Sequence, residues 1–118
     1  MSKSDYIKIR RSLDRHKIVS GLKDAEEMYL NGGIVEAGEI LGDIAGAIKE
    51  FAAWKRSRKR DNRFIERRYG LCDKEVTDAI RKAAREICGE TPLPEIGRTL
   101  DDICFAIKNF DPYREEPF

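Results

Sequence analysis

The stretch Ile34–Phe51, IVEAGEILGDIAGAIKEF, decides the fold class. Its apolar residues Ile34, Ala37, Leu41, Ile44, Ile48 and Phe51 recur at alternating steps of three and four. That spacing puts them on one stripe of an α-helix and on no face of a β-strand. Beside the stripe run Gly38, Gly42 and Gly46, four apart. Each glycine costs a helix interior about 1 kcal/mol relative to alanine. Three of them on one ridge predict a close approach of another backbone, within the chain or between two copies. Charged residues at both ends of the stretch exclude the membrane form of such a glycine motif.

The same period extends outward in both directions. Ser4 is positioned to cap a first helix carrying Tyr6, Ile9 and Leu13, and the stripe resumes one residue out of phase as Ile18, Leu22, Ala25 and Tyr29. Gly21 marks a break or kink near the phase slip, and the NGG at 31–33 stops the helix. Downstream, Val76, Ile80, Ala83 and Ile87 form a third stripe that begins at Asp73 and ends at Gly89. Ile96, Leu100, Ile103, Ile107 and Phe110 form a fourth, opened by TPLP at 91–94 and closed by Pro112. No stretch shows strand alternation. The second helix is expected to run on through the basic stretch to Gly70. The expected fold is therefore all-α, a compact bundle of four to five helices with one long central helix. One domain spans 1–118, with 111–118 read as a tail that docks or stays mobile.

Composition bounds the chemistry. The chain has 118 residues, 38% of them charged and 41% hydrophobic, with a formal net charge of +1. That is polar enough for water and apolar enough for one modest core. No apolar run approaches the roughly 20 residues that span a bilayer, and the N-terminus lacks the apolar segment of a signal peptide. A cytoplasmic, non-membrane protein is expected. Cys72, Cys88 and Cys104 are an odd count without close pairs, which argues against a disulfide framework or a zinc site. Cys88 and Cys104 read as small buried hydrophobes.

Charge alternates in blocks. Residues 1–23 carry net +5, residues 24–50 net −6, residues 55–68 net +6 and residues 69–118 net −4. The third block is the sharpest. Within WKRSRKRDNRFIERRYG, Lys55, Arg56, Arg58, Lys59, Arg60, Arg63, Arg67 and Arg68 face only two acids. On a continuous helix, six of these cations would share an arc of about 140° at ~100° per residue, beside Trp54, Ile65 and Tyr69. A cationic strip edged by aromatics suits a DNA or RNA backbone, read without base specificity, with arginine giving bidentate phosphate contacts. An acidic protein surface is the other partner of matching charge. The plainer reading is a solvated helix face. The alternative function is a protein–protein adaptor or inhibitor using a helical interface, or a homo-oligomer built on the glycine ridge.

Two short patterns carry catalytic implications. Glu36, Glu39, Asp43 and Glu50 share about 60° of one helix face at ~100° per residue. The pattern Glu36-x-x-Glu39…Glu75-x-x-Asp78 resembles the ExxE…ExxD signature of all-α nucleotide pyrophosphohydrolases of the MazG type. That resemblance implies Mg²⁺ held by the four acids for hydrolysis of nucleoside triphosphates, although the gap between the pairs is longer than in that family. A solvated acidic face is the favoured reading of the same residues. Arg11-x4-His16 resembles the RxxxxH spacing of HEPN-type ribonucleases, which implies an arginine and a histidine acting on RNA phosphate. Here the motif sits in the first helix, not towards the end of a bundle. There is no glycine-rich phosphate loop, GxSxG elbow or HExxH helix. No catalytic residue, metal ligand or cofactor is assigned. The chain is read as a small accessory or regulatory binding protein.

Overall fold

The computed structural model describes residues 6–9, 12–54, 64–66 and 70–110. Four α-helices dominate: α1 (Arg15–Leu30), α2 (Ile34–Phe51), α3 (Asp73–Glu86) and α4 (Leu93–Phe110). Two minimal antiparallel ladders accompany them. β1 (Ile7–Ile9) pairs with β2 (Ser12–Leu13) ahead of α1, and β3 (Ile65–Glu66) pairs with β4 (Gly70–Leu71) ahead of α3. The helices pack in the circular order α1, α2, α4, α3, each touching its two neighbours. The architecture is the expected all-α bundle, with α2 in contact with both α1 and α4. No helix among the described residues is long and apolar enough to cross a membrane.

The apolar stripes read from the sequence are the core, except that Phe51, placed on the inward stripe of α2, is 39% exposed in the helix's last turn. Ile18, Leu22, Ala25 and Tyr29 of α1 meet Ala37, Leu41, Ile44 and Ile48 of α2, Val76, Ile80 and Ala83 of α3, and Ile96, Leu100, Ile103 and Ile107 of α4. Turn chemistry fixes how α1 reverses into α2. Gly32 takes φ +91, a left-handed conformation that glycine adopts without penalty. The Gly33 amide then donates to the Met28 carbonyl at 2.7 Å and the Gly32 amide to that of Tyr29 at 3.2 Å. This is a Schellman closure, which satisfies carbonyls that the helix end would leave unpaired. At the other end of α1, the Asp14 carboxylate accepts from the Lys17 amide at 3.0 Å as the N-cap.

The N-terminal segment departs from the expected helix. Tyr6 and Leu13 are buried, but they reach the core from the β1–β2 ladder, closed by the Asp14 amide donating to the Tyr6 carbonyl at 2.8 Å. Gly21 explains the seating of Tyr6. A Cβ on Gly21 would lie 2.8 Å from the Tyr6 hydroxyl and 2.9 Å from its ring. The glycine marks an aromatic ring laid on α1, and the helix passes through it without a break. The phase slip arises because the described residues ahead of Asp14, 6–9 and 12–13, are not α-helical.

The second departure concerns α2, which ends at Phe51. Ala52 turns to extended backbone at φ −132 and ψ 98 as the C-cap. Gly70, expected to cap a long helix, lies instead in β4 with φ +124. Cys88 also differs from expectation: it is exposed, just beyond the end of α3, whereas Cys104 is buried on α4. The tail 111–118 lies outside the described residues.

Candidate nucleic-acid interface and the grooves of the bundle

The basic stretch is tied to the bundle at defined points. Trp54, immediately before it, is 8% exposed, and Phe64, inside it, is fully buried. Trp54 lies against α4: a Cβ on Gly97 would come within 2.6 Å of the indole Nε1, so the ring occupies space that only glycine leaves open. The indole N–H is buried without an acceptor, and Lys49 Nζ stands 5.5 Å from the ring centroid in cation–π contact. After Phe64 the chain pairs Ile65 with Leu71 and Glu66 with Gly70, and the Cys72 amide donates to the Phe64 carbonyl at 2.9 Å. Lys55, Arg56, Arg58, Lys59, Arg60 and Arg63 fall between the two buried aromatics, and Arg67 and Arg68 between the paired strands.

All eight cations, with Tyr69, lie outside the described residues. A single helical strip continuous with α2 does not fit their neighbours, because α2 stops at Phe51 and Ile65–Glu66 is strand. Trp54 belongs to the core and offers no stacking face to a base.

The glycine ridge faces α4. A Cβ on Gly38 would sit 2.9 Å from Ile107 Cγ2, and one on Gly42 3.1 Å from Cys104 Sγ. The closeness of α2 to α4 therefore depends on the missing side chains. With Gly46 these glycines border an open groove of about 610 Å³, which Lys49, Trp54 and Asp101 also line.

The acids paired by sequence spacing do not converge. Glu36 opens onto a groove between α1 and α2, Glu39 and Asp43 onto the α2–α4 groove, and Glu75 and Asp78 onto a third groove between α3 and α4. The reason is topological: α2 and α3 stand diagonally across the bundle. Among the described residues no group of three or more His, Cys, Asp or Glu side chains is placed to hold a metal ion. His16 is exposed in the first turn of α1, while Arg11 lies outside the described residues.

Three polar contacts among the described residues join α1 to α3. Arg15 donates to the Ile87 carbonyl at the C-terminal end of α3, where a cation opposes the helix dipole. Arg81 pairs with Glu26, and the Tyr29 hydroxyl donates to Asp73 Oδ1 at 2.5 Å at the start of α3.

Sequence reading missed one surface, the α1–α2 groove. Asp24, Glu27 and Glu36 rim it, and Met28 and Ile40 supply apolar wall. Met28 lies off the buried stripe of α1 and is 41% exposed. A large apolar residue off the stripe, flanked by acids, was the available signal. Comparison with known proteins gives no matching family model, no matching curated protein and no matching solved structure.

Proposed function

We propose that this is a non-enzymatic accessory protein of the cytoplasm that contacts a nucleic-acid backbone through the basic segment Lys55–Arg68. One observation carries the reading: eight Lys/Arg against two acids in fourteen residues, in a chain whose remaining net charge is −5. The burial of Trp54 and Phe64 supports it. Side chains anchored in the core at both ends of Lys55–Arg63 restrict where those cations can go, which lowers the entropy lost on engaging phosphates. Recognition would be electrostatic and independent of sequence, since phosphate contacts position a protein but do not read bases.

The test is binding to labelled single- and double-stranded DNA and RNA by fluorescence anisotropy across a salt series. Affinity is expected to fall steeply with salt, with a slope close to 0.9 per phosphate contacted on duplex DNA and about 0.7 on single strands. Replacing Arg56, Lys59, Arg60 and Arg63 together by alanine should reduce that slope by up to about 4 while leaving helicity unchanged. Absence of any binding at about 50 mM salt would reject the proposal, because counterion release is strongest there.

The pyrophosphohydrolase alternative loses its support from the divergence of Glu36 and Glu39 from Glu75 and Asp78. The adaptor alternative keeps one specific observation in its favour, the α1–α2 groove, which is open among the described residues.

A further inference from the structure

The α1–α2 groove combines an apolar wall with an acidic rim and has nothing laid across it among the described residues. Its volume is about 730 Å³, and it lies at the end of the bundle where α1 turns into α2. Met28 is 41% exposed, and Leu30, two residues on, is 60% exposed. Ile40 packs on the core from the other side of the groove. The carboxylates of Asp24, Glu27 and Glu36 form no hydrogen bond or ion pair among the described residues. Elsewhere acids at helix junctions are engaged, as Asp73 is by Tyr29 and Glu26 by Arg81. The rim is therefore charge left open above apolar surface.

That combination selects long cationic side chains. Arginine and lysine lay methylene stems on apolar surface and keep the charged head at its edge. Over Met28 and Ile40, their stems would shield exposed carbon while the heads reached three carboxylates in charge-assisted hydrogen bonds. A concave site of one charge sign also focuses its field, drawing in cations and repelling phosphates.

We infer that the groove receives cationic side chains of the basic segment Lys55–Arg68 of a second copy of this chain, while Phe64 of that segment stays in its own core. The charge argument is internal: the segment carries net +6, and the block that supplies the groove, residues 24–50, carries net −6. The segment leaves α2 at the end away from the groove and is tied again at Phe64, ahead of α3, whose Asp73 meets Tyr29 at the groove's end of the bundle. Ten steps from Trp54 to Phe64 reach at most about 36 Å at ~3.6 Å each, and α2 alone is about 27 Å long at ~1.5 Å per residue. Within one copy Lys55–Arg63 therefore has little slack for a detour to the groove between α1 and α2, which favours pairing between copies. A two-fold arrangement lets each copy give one segment and accept one, closing the assembly without open ends. The inference uses the same cations as the nucleic-acid reading and competes with it for them, and self-association of nuclease-treated protein tests it separately.

Sedimentation velocity on nuclease-treated protein tests it. A dimer is expected at about 50 mM salt, dissociating towards monomer at about 0.5 M as the charges are screened. Asp24→Lys/Glu27→Lys/Glu36→Lys should weaken self-association about tenfold or more, as three ion pairs become repulsions. Arg56→Glu/Lys59→Glu/Arg60→Glu should do the same. Circular dichroism of the groove variant should match the parent, since Asp24, Glu27 and Glu36 are exposed. Mixing the two variants should restore the dimer, because each then offers the charge that the other lacks. The inference is overturned by a monomer at low salt, or by a dimer indifferent to both variants. It is equally overturned if only the groove variant weakens the dimer, which would place another surface in the groove.

Discussion

The two flanks of α2 solve opposite problems. Towards α4, side chains have been removed: Gly38 meets Ile107 and Gly42 meets Cys104 at distances that no added Cβ could keep without displacement. Towards α1, side chains have been left over: Glu36 and Ile40 join Asp24, Glu27 and Met28 around a groove that nothing covers among the described residues. One helix thus carries a flank closed tightly against α4 and a flank that packs on α1 yet leaves part of its surface open among the described residues. Stability and interaction should therefore respond to different substitutions, and the contrast can be broken from either side.

The largest effect is expected where both flanks share one residue. Leu41 is fully buried in the middle of α2. Leu41→Ala should cost about 2–5 kcal/mol, the range for truncating a buried leucine, read by urea denaturation. A loss under about 1 kcal/mol would mean that the core is not assembled around α2 as described. On the α4 flank, Gly38→Leu inserts a branched chain against Ile107 and should cost about 1–3 kcal/mol by overpacking. Gly42→Ala should cost less than Gly38→Ala, because its Cβ would meet a thiol at 3.1 Å and not a branched carbon at 2.9 Å. Reversal of that order would show that α4 approaches α2 in a different register. Gly97→Ala probes the same flank at its far end, where the new methyl would fall 2.6 Å from the Trp54 indole nitrogen. The sharpest readout is tryptophan fluorescence: the chain's one tryptophan should shift to the red as the ring leaves the core. An unchanged spectrum with unchanged stability would remove Trp54 from its place against α4.

A smaller effect belongs to the α1–α3 contact. Tyr29→Phe removes a hydroxyl that donates to the Asp73 carboxylate and should cost about 1–2 kcal/mol. A double-mutant cycle with Asp73→Ala isolates the pair from Asp73's separate interaction with the α3 dipole. Zero coupling would show that the hydrogen bond is not formed in solution.

Much of this was legible because the helices are amphipathic and their burial follows a simple period. Ile18, Leu22, Ala25 and Tyr29 were placed inward by spacing alone, as were the stripes of α2, α3 and α4. Part of the glycine ridge was legible for a related reason: Gly38 and Gly42 do meet side chains of α4, whereas Gly46 only borders the groove beside them. What spacing could not show were segments fixed by partners far along the chain. Tyr6, Ile9 and Leu13 fit a helical stripe, yet Tyr6 is seated by Gly21 and the ladder is only two or three residues long, too short to display alternation. Trp54 continues the helical phase of α2, but the chain has already left the helix, and the ring is received by Gly97 some forty residues on. The acid pairs failed for the same reason. Spacing sets which face of a helix a carboxylate occupies, whereas the order of helices around the bundle sets whether two faces meet, and here α2 and α3 are diagonal.

The smallest expected effect tests the other flank most directly. Met28 is a large apolar residue at 41% exposure, in the last turns of α1 and off its buried stripe. A residue placed there for the fold would lose stability on truncation in proportion to the area it buries, about 25 cal/mol per Å². A residue placed there for a partner would not. Met28→Ser is therefore expected to change stability by no more than about 0.5 kcal/mol, the range of ordinary surface substitutions. The same substitution should weaken low-salt self-association, because it removes the apolar wall on which cationic stems rest. A loss above about 1.5 kcal/mol would show that Met28 supports the bundle and that both flanks of α2 serve the fold. Unchanged stability with unchanged association would leave the acidic rim, without its apolar wall, as the whole of the docking surface. The two measurements together separate what α2 contributes inward from what it offers outward.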